Sequence, residues 1–370
     1  MTDQDTVIRY PAIRQVKAWD TLAPLAPVHP RNRILPGTGA VKDEECGEWT
    51  ALAVCSADVN HERRPIMKSC NRLECPVCHT RVLQRNSAAV ASRVDGYRKA
   101  LTGQVTLYGG IAKKPRPPRH GILSPPASVV NAVYDRTMKS LAKKYPGGEY
   151  TAEDIQATYM EKFRYEAYKA LELLGIDGAA CIIHYDRVTE EGKEKHQAEA
   201  PGMARWEWLR CQVENWHDLV YFSPHMHVAY YGWTMDTDEF YEKSGGWVFK
   251  MRRVVEEVAP LAYYLLSHAP VIHGRLSVTY TGCLSPRKLK AVDDHIEKEE
   301  VLCEKCGAVM VFAAIDMDGN ITHITDRPLY HKRRVRTYRI EEGPGPGPGP
   351  GPGPGPGPGP GPGPGPGGEA

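Results

Sequence analysis

The most informative stretch of the chain is Tyr221-Phe222-Ser223-Pro224-His225-Met226-His227-Val228-Ala229-Tyr230-Tyr231. Its aromatic and β-branched residues favour a strand. Successive side chains of a strand point to opposite faces, so His225 and His227 would share one face while Met226 packs into the core on the other. Two imidazoles on one rigid strand form half of a metal site. An ordinary half-buried strand that happens to carry two histidines is the alternative.

The chain of 370 residues, 41% of them hydrophobic, is long enough for two or three domains with a sizeable core. It contains no run of 18 apolar residues, and its first residues lack the charge and apolar stretch of a signal peptide. We therefore expect a cytoplasmic protein that does not span a membrane. Ten cysteines are too few for a disulfide scaffold, and several are paired at metal-ligand spacing, so structural zinc in a reducing compartment is predicted.

The predicted elements place the histidine stretch in an α+β domain with an antiparallel sheet and flanking helices. Predicted helices cover residues 81–100, 127–144, 151–174 and 255–268. Predicted strands cover residues 119–124, 179–188, 206–213, 221–231, 247–254 and 271–281, and the charged residues 189–204 are expected to form a surface loop. Thr151 and Asp154 resemble a capping box, and Gly175 follows the last apolar turn of that helix.

The domain boundaries follow changes in composition. Residues 1–45 are proline-rich and are expected to form a poorly ordered arm or to wrap on another domain. Residues 46–115 would hold a zinc module and a basic linker, 116–282 the central domain, and 283–342 a second zinc region. Residues 343–370 are mostly Gly-Pro repeats, whose period of two is not that of collagen, so a disordered tail is expected.

The first zinc module is predicted from the pair Cys75-Pro76-Val77-Cys78. This CxxC spacing is typical of tetrahedral structural zinc, and no βαβ pattern surrounds it to suggest a redox dithiol. The predicted ligands are Cys55, Cys70, Cys75 and Cys78, with His61 or His79 as possible replacements and Cys46 as a spare.

The second zinc region is predicted from Cys303-Glu304-Lys305-Cys306-Gly307, in which the glycine permits a tight turn around the metal. Cys283 is the expected third ligand. The fourth ligand stays open between His295 and His323.

Basic residues are concentrated in two segments although the formal net charge is only +2. A charge run is most often a solvated surface, but two such patches in a nearly neutral chain favour contact with phosphate. The predicted DNA-contacting residues are Lys113, Lys114, Arg116 and Arg119 of the first segment and Arg333 and Arg334 of the second.

A candidate nucleophile lies in Tyr263-Tyr264-Leu265-Leu266-Ser267-His268, on the helix predicted after the histidine strand. Tyr264 and His268 are four residues apart and share a helix face. A tyrosine is a weak nucleophile at neutral pH because the pKa of its phenol is about 10. A nearby cation can stabilise the phenolate. An ordinary surface tyrosine with a packed ring is the alternative.

Three blocks, in this order, make the chain similar to the HUH endonucleases, and in detail to the rolling-circle replication initiators of archaeal plasmids. The blocks are Arg119-His120-Gly121-Ile122-Leu123-Ser124-Pro125-Pro126, Ser223-Pro224-His225-Met226-His227-Val228 and Tyr263-Tyr264-Leu265-Leu266-Ser267-His268. The resemblance covers roughly residues 50–310, and it implies the HUH-type antiparallel sheet for the central domain.

The resemblance also implies a mechanism. His225 and His227 would bind Mg2+ or Mn2+, and this ion would grip the scissile phosphate of single-stranded or hairpin origin DNA. A tyrosine would attack, leaving a 5′-phosphotyrosine and a free 3′-hydroxyl that primes synthesis by the host helicase and polymerase. Imidazole ligands favour Mn2+ over Mg2+.

Some roles stay open within this resemblance. Tyr264 matches the family's nucleophile block best, but Tyr263 is adjacent. Relatives carry a lysine one turn after the tyrosine, whereas this chain has His268, so the source of positive charge there is open. The adjacent tyrosines favour a single-tyrosine mechanism. Candidates for a third metal ligand are His120, His184, Glu214 and His268.

Other functions are weighed against replication initiation. A transposase or relaxase would use the same chemistry. A zinc hydrolase built on the histidine pair would carry an Asp two residues after the second histidine, where this chain has Ala229. A non-catalytic, zinc-containing DNA-binding protein would bind DNA without cleaving it.

Overall fold

The computed structural model describes residues 33–39, 44–107, 117–148, 150–272, 275, 277–316 and 320–341. Within these residues the chain is a mixed α+β protein with seven α-helices, eleven β-strands and three antiparallel sheets. Most of the predicted N-terminal arm, the basic residues Lys113, Lys114 and Arg116, and the predicted Gly-Pro tail lie outside the described residues.

The strands are β1 Trp49–Cys55, β2 Arg63–Met67, β3 Arg119–Ser124, β4 Gly178–Val188, β5 Val220–Tyr231, β6 Val248–Val254, β7 Val278–Tyr280, β8 Leu289–Glu300, β9 Met310–Ile315, β10 Ile321–Pro328 and β11 Tyr330–Ile340. The helices are α1 His79–Leu107, α2 Ala127–Lys144, α3 Ala152–Leu174, α4 Glu190–Glu199, α5 Arg205–Gln212, α6 Thr237–Lys243 and α7 Val258–Leu266.

A five-stranded antiparallel sheet of order β6-β3-β5-β4-β7 forms the centre of the molecule, with the histidine strand β5 in its middle. The two faces of β5 are buried in different cores. Met226 and Val228 pack with residues of α2 and α3, while Ala229 and Tyr231 pack with residues of α1 and α7. His225 and His227 share the face of Ala229, so the alternation of β5 directs them toward α7.

The helices that cover the first core begin and end where the sequence predicts. The Thr151 hydroxyl accepts a hydrogen bond from the Asp154 N–H at 3.1 Å, and the Asp154 carboxylate accepts one from the Thr151 N–H at 3.0 Å. This capping box satisfies two N–H groups of the first turn of α3. Gly175 ends the helix with a φ of +82°, a conformation that favours glycine.

Two predictions between β4 and β5 are wrong. The expected loop at 189–204 contains helix α4, and the expected strand at 206–213 is helix α5. Thr189 caps α4 by accepting a hydrogen bond from the Gly192 N–H at 3.0 Å. In α5, Trp206 and Leu209 are three residues apart and pack into one apolar cluster, which a helical period allows and a strand period does not. The strand expected at 271–281 is limited to β7.

The remaining strands connect the two ends of the described chain. The four-stranded sheet has the order β10-β9-β1-β2, so a hairpin from the N-terminal part pairs with strands from the C-terminal part. Strands β8 and β11 form a separate two-stranded ribbon. No helix of the described residues is both long and apolar enough to cross a lipid bilayer.

Candidate functional site

Five histidines meet on the α7 side of the central sheet, and all of them are buried. They are His120 on β3, His184 on β4, His225 and His227 on β5, and His268 just after α7. His184 lies directly opposite His225 in the β4–β5 ladder, so their side chains leave the same face of the sheet. The ring centroids of His184 and His268 are 4.2 Å apart.

Three of these histidines are arranged as a metal-ligand set. One ring nitrogen from each of His184, His225 and His227 lies within 4.8 Å of the corresponding nitrogens of the other two. Among the candidates for a third ligand, the structure therefore brings His184 into this set. No carboxylate belongs to it within the described residues.

One ring nitrogen of each of the three histidines has a partner within the protein. His184 Nε2 donates to the Leu265 carbonyl at 3.0 Å, and His225 Nδ1 donates to the Ser223 carbonyl at 2.7 Å. His227 Nδ1 lies 2.9 Å from His120 Nε2. Such outer hydrogen bonds fix the tautomer of a metal-binding histidine and leave its second nitrogen for the ion.

Burial keeps these imidazoles neutral. Desolvation lowers the pKa of His184 to about 3 and that of His120 to about 4. It also lowers the pKa values of His225, His227 and His268 well below their ordinary value. A neutral imidazole is the form that binds a metal ion, so the cluster is ready for one at neutral pH.

The two adjacent tyrosines of α7 occupy different environments. Tyr263 packs against the core shared with α1. Tyr264 is 46% exposed, and its ring centroid is 4.8 Å from that of His268. Tyr264 is thus linked through His268 to His184, and it borders both the histidine cluster and solvent.

Arginines lie near Tyr264, at the edge where the histidine cluster borders solvent. Burial raises the pKa of Tyr264, while the positive charges of Arg205 and Arg252 lower it. Arg252 is the extra residue of a β-bulge, because Arg253 pairs with His120 and Met251 pairs with Gly121. Bulges redirect side chains and are common beside active sites.

Helix α5 contributes a second contact to this edge. The Trp206 ring stacks on His268, with centroids 5.0 Å apart and an angle of 10° between the ring planes. The Nε atom of the neighbouring Arg205 is buried and has no hydrogen-bond partner in the described part of the chain. Sequence reasoning missed both residues, because it placed Trp206 in a strand and proposed no role for Arg205 beside it. It also missed Arg252, since the bulge depends on pairing with β3.

The residues predicted to contact DNA have different surroundings. Arg119 lies over the exposed ring of Trp233, with its guanidinium carbon 5.1 Å from the ring centroid. Arg334 makes two bonds of 2.6 Å to the Asp294 carboxylate, and Arg333 pairs with Glu297 in the strand register. The basic strand β11 therefore lies beside the acidic strand β8, and acidic neighbours partly neutralise its charge.

The first cysteine cluster differs from the predicted set by one residue. The sulfur atoms of Cys46, Cys70, Cys75 and Cys78 lie within 4.8 Å of one another, and this four-cysteine cluster could hold a zinc ion. Cys46 takes the place that was assigned to Cys55. His79 is not part of the cluster, and its Nδ1 lies 2.8 Å from the Pro76 carbonyl oxygen.

The second cluster also corrects the prediction. It contains Cys55, His61, Cys303 and Cys306, again within 4.8 Å, and it too could hold a zinc ion. Cys283 is not a member, because it lies beside β4 and its thiol contacts Tyr97. His295 bonds to Asp293 at 2.9 Å instead. His323 lies in β10 and does not belong to the cluster. The pairing of β1 with β9 brings Cys55 to this place.

Comparison of the chain with protein-family models, with curated proteins and with solved structures finds no significant match. Function therefore has to be inferred from the geometry of the sites.

Proposed function

We propose that the chain is a metal-dependent, single-tyrosine DNA endonuclease and strand transferase of the HUH type. It nicks and rejoins single-stranded DNA and serves as the initiator of rolling-circle replication of a plasmid. The observation that carries this proposal is the meeting of Tyr264 with the three-histidine set of His184, His225 and His227 around His268. These groups come from the central strand β5, its neighbour β4 and helix α7, and they include the histidine pair and the tyrosine that the resemblance singles out.

The donor set favours some cations over others. Three neutral imidazoles suit borderline transition-metal ions, whereas Mg2+ prefers oxygen ligands. The set therefore fits Mn2+ better than Mg2+. A cation bound by His184, His225 and His227 would supply Lewis-acid polarisation of a phosphate oxygen.

Tyr264 is the nucleophile of the proposed reaction. Its hydroxyl oxygen forms a bond to phosphorus while the bond from phosphorus to the 3′-oxygen breaks, which leaves a 5′-phosphotyrosine and a free 3′-hydroxyl. The phenol proton passes to solvent, to which Tyr264 is 46% exposed, and the departing 3′-oxygen takes up a proton. One phosphodiester replaces another, so rejoining requires no nucleotide hydrolysis.

Arginines provide the positive charge that relatives take from a lysine. Arg205 and Arg252 act electrostatically on Tyr264, and the buried Nε of Arg205 has no hydrogen-bond partner among the residues that the structure describes. Guanidinium groups bind phosphate oxygens with paired N–H donors. These two arginines would stabilise the charge that develops on the phosphate.

The test is an assay for a covalent protein–DNA adduct. We would incubate the full chain and Mn2+ with 3′-labelled single-stranded oligonucleotides that carry hairpins with varied loop sequences. The label then stays with the fragment that a 5′-phosphotyrosine would hold. We expect a denaturant-resistant adduct, and peptide mass spectrometry should locate it at Tyr264.

Variants separate the roles within the site. We expect Tyr264→Phe to abolish the adduct, Tyr263→Phe to retain it, and His225→Ala or His227→Ala to lower it by orders of magnitude. An adduct that persists in Tyr264→Phe but disappears in Tyr263→Phe would move the nucleophile by one residue. DNA binding without any adduct would instead support a non-catalytic DNA-binding protein.

A zinc hydrolase is the second candidate, because three histidines are also the protein ligands of some catalytic zinc sites. That enzyme would release cleaved product without a covalent intermediate and would tolerate Tyr264→Phe. The same gel distinguishes the two, since free labelled product and protein-bound label migrate differently.

A further inference from the structure

The second cysteine cluster draws its ligands from distant parts of the chain. Cys55 ends β1 and His61 lies in the turn before β2, whereas Cys303 and Cys306 lie between β8 and β9. Cys55 and Cys306 are 251 positions apart, yet their Sγ atoms are 3.4 Å apart. We propose that this cluster of three cysteines and one histidine binds Zn2+ and that the ion fastens the β1–β2 hairpin to the C-terminal strands.

The donor atoms are arranged for one tetrahedral ion. All four lie within 4.8 Å of one another. A Zn–S bond of about 2.3 Å places two sulfur ligands of a tetrahedral ion about 3.8 Å apart. The 3.4 Å between Cys55 and Cys306 and the 3.9 Å between Cys55 Sγ and His61 Nδ1 are close to that spacing. Three thiolates and one imidazole are a known ligand set of structural zinc.

The backbone around Cys303 and Cys306 is shaped as a metal knuckle. Gly307 has a φ of +74°, which favours glycine. Its N–H donates to the Cys303 carbonyl at 2.8 Å, and the Cys303 N–H donates to the Ala308 carbonyl at 2.8 Å. These bonds close the turn and hold both thiols on one side of it.

His61 has an outer partner that suits a ligand. The Asp58 carboxylate lies 3.6 Å from His61 Nε2, and His61 Nδ1 faces the Cys55 thiol. A carboxylate on the far nitrogen orients a metal-binding imidazole. Asp58 therefore assigns Nδ1 to the ion.

Two small apolar cores hold this sheet together without a metal, and the one on the face away from the cluster contains Leu52, Val54, Val311 and Ala313. The core around the cluster contains five buried residues, and two of them, Cys55 and Cys303, are ligands. The remaining three are Ala53, Val301 and Met310. Small cores of this kind usually need a metal or a disulfide as a cross-link. Closing a loop of this length also costs more entropy than closing a short one, so a metal that closes it contributes most here.

Besides the β1–β9 ladder and two small apolar cores, the two segments contact each other through polar groups. The Glu304 N–H donates to Glu62 Oε2 at 2.8 Å, and Arg64 bonds to Glu304 at 3.0 Å on the surface. Exposed ion pairs add little stability. The five-stranded sheet, by contrast, has large apolar cores on both faces. Removal of the ion should therefore loosen the hairpin and leave the central sheet folded.

The first arm of the test measures zinc content in the purified full chain by elemental mass spectrometry. We expect Cys303→Ser to contain one zinc equivalent less than the unaltered protein. Cys283→Ser is the matched control, because Cys283 is a cysteine of the same region that lies outside the cluster, and it should keep the full content. Equal zinc contents in Cys303→Ser and the unaltered protein would overturn the proposal.

The second arm needs no substitution, so a misfolded variant cannot obscure it. Hydrogen exchange of the unaltered protein is compared before chelation, after chelation and after Zn2+ is added back. We expect exchange to rise at least tenfold in β1, β2 and β9, to stay unchanged in β3–β5, and to recover with Zn2+. Zinc loss without faster exchange in β1 and β9 would show that no clamp exists. An equal rise in β3–β5 would show that the ion supports the whole molecule instead.

Discussion

At the scale of single residues, the histidine cluster contains side chains that could hold a cation and others that could orient them. His184 contributes a nitrogen to the three-histidine set, whereas His120 contacts His227 Nδ1 from outside it. Both side chains are buried, and they lie on β3 and β4, the two strands that flank β5. Their substitution should therefore affect metal binding to different degrees.

We predict that His184→Ala weakens Mn2+ binding more than His120→Ala does. Loss of an outer partner typically lowers metal affinity by about 10–100-fold, and loss of a ligand should exceed that range. Mn2+ binding followed by electron paramagnetic resonance measures both affinities. A larger loss in His120→Ala would reverse the roles assigned to the two histidines.

A second prediction at this scale concerns Gly121, which lies next to His120 on β3. A Cβ at this position would lie 2.3 Å from the Phe249 ring on the opposite face from the histidines. Overpacking of this kind costs about 1–3 kcal/mol, so Gly121→Ala should lower the free energy of unfolding in urea. Gly147→Ala is the control, because nothing lies within 4 Å of a Cβ there. Equal stabilities of the two variants would contradict the close packing of β3 against β6.

At the scale of elements, helix α1 packs against strand β11 through a glycine. A Cβ on Gly96 would lie 2.2 Å from Cδ2 of Tyr338. The same ring lies near Arg93, whose guanidinium carbon is 5.6 Å from its centroid. This contact joins the base of the ribbon to the central domain, and the small residue sets how closely the two elements approach.

We predict that Gly96→Ala destabilises the protein although alanine is the better helix former. Propensity alone would stabilise the helix by about 1 kcal/mol, whereas overpacking against Tyr338 costs about 1–3 kcal/mol. In a Tyr338→Ala background the same substitution should become stabilising. Urea unfolding of the four variants gives both differences, and stabilisation in the native background would exclude the tight contact.

The bulge in β6 gives a further prediction at the scale of elements. Arg252→Gln should lower the rate of adduct formation about tenfold or more, because a hydrogen bond to a charged group contributes about 1.5–3 kcal/mol. Lys139→Gln provides a control on the exposed side of α2, which packs on the other face of the sheet. Equal rates for the two variants would remove Arg252 from the proposed site.

At the scale of the whole molecule, the distribution of charge says more about where phosphate could bind than the formal net charge of +2 does. The ribbon pairs basic β11 with acidic β8, while Arg205, Arg252 and Arg253 lie around one edge of the histidine cluster. Phosphate binding should therefore be concentrated at that edge.

We predict that affinity for single-stranded DNA falls with salt with a logarithmic slope near −2, since each phosphate contact contributes about −0.7 and three arginines are involved. The double variant Arg252→Gln/Arg253→Gln should reduce the magnitude of this slope by about 1.4. Fluorescence anisotropy at several salt concentrations measures both. A slope that the double variant leaves unchanged would place the DNA elsewhere on the surface.

Local sequence patterns predicted much of the central domain. The period of two in β5 placed His225 and His227 on one face, and the capping box and Gly175 predicted both ends of α3. The paired cysteines indicated both cysteine clusters that could hold a metal ion. These features depend on residues a few positions apart, where backbone geometry alone relates the side chains.

Tertiary structure alone decided the composition of each site. His184 belongs to the histidine set because β4 pairs with β5. Cys55 belongs to the second cysteine cluster, and not to the first as predicted, because β1 pairs with β9. Arg252 reached the site through a bulge. Strand order and register arise from packing between distant segments, and no local spacing encodes them. The sequence by itself therefore determined which metal-ligating side chains the protein has, and the pairing of its strands decided which of these side chains meet.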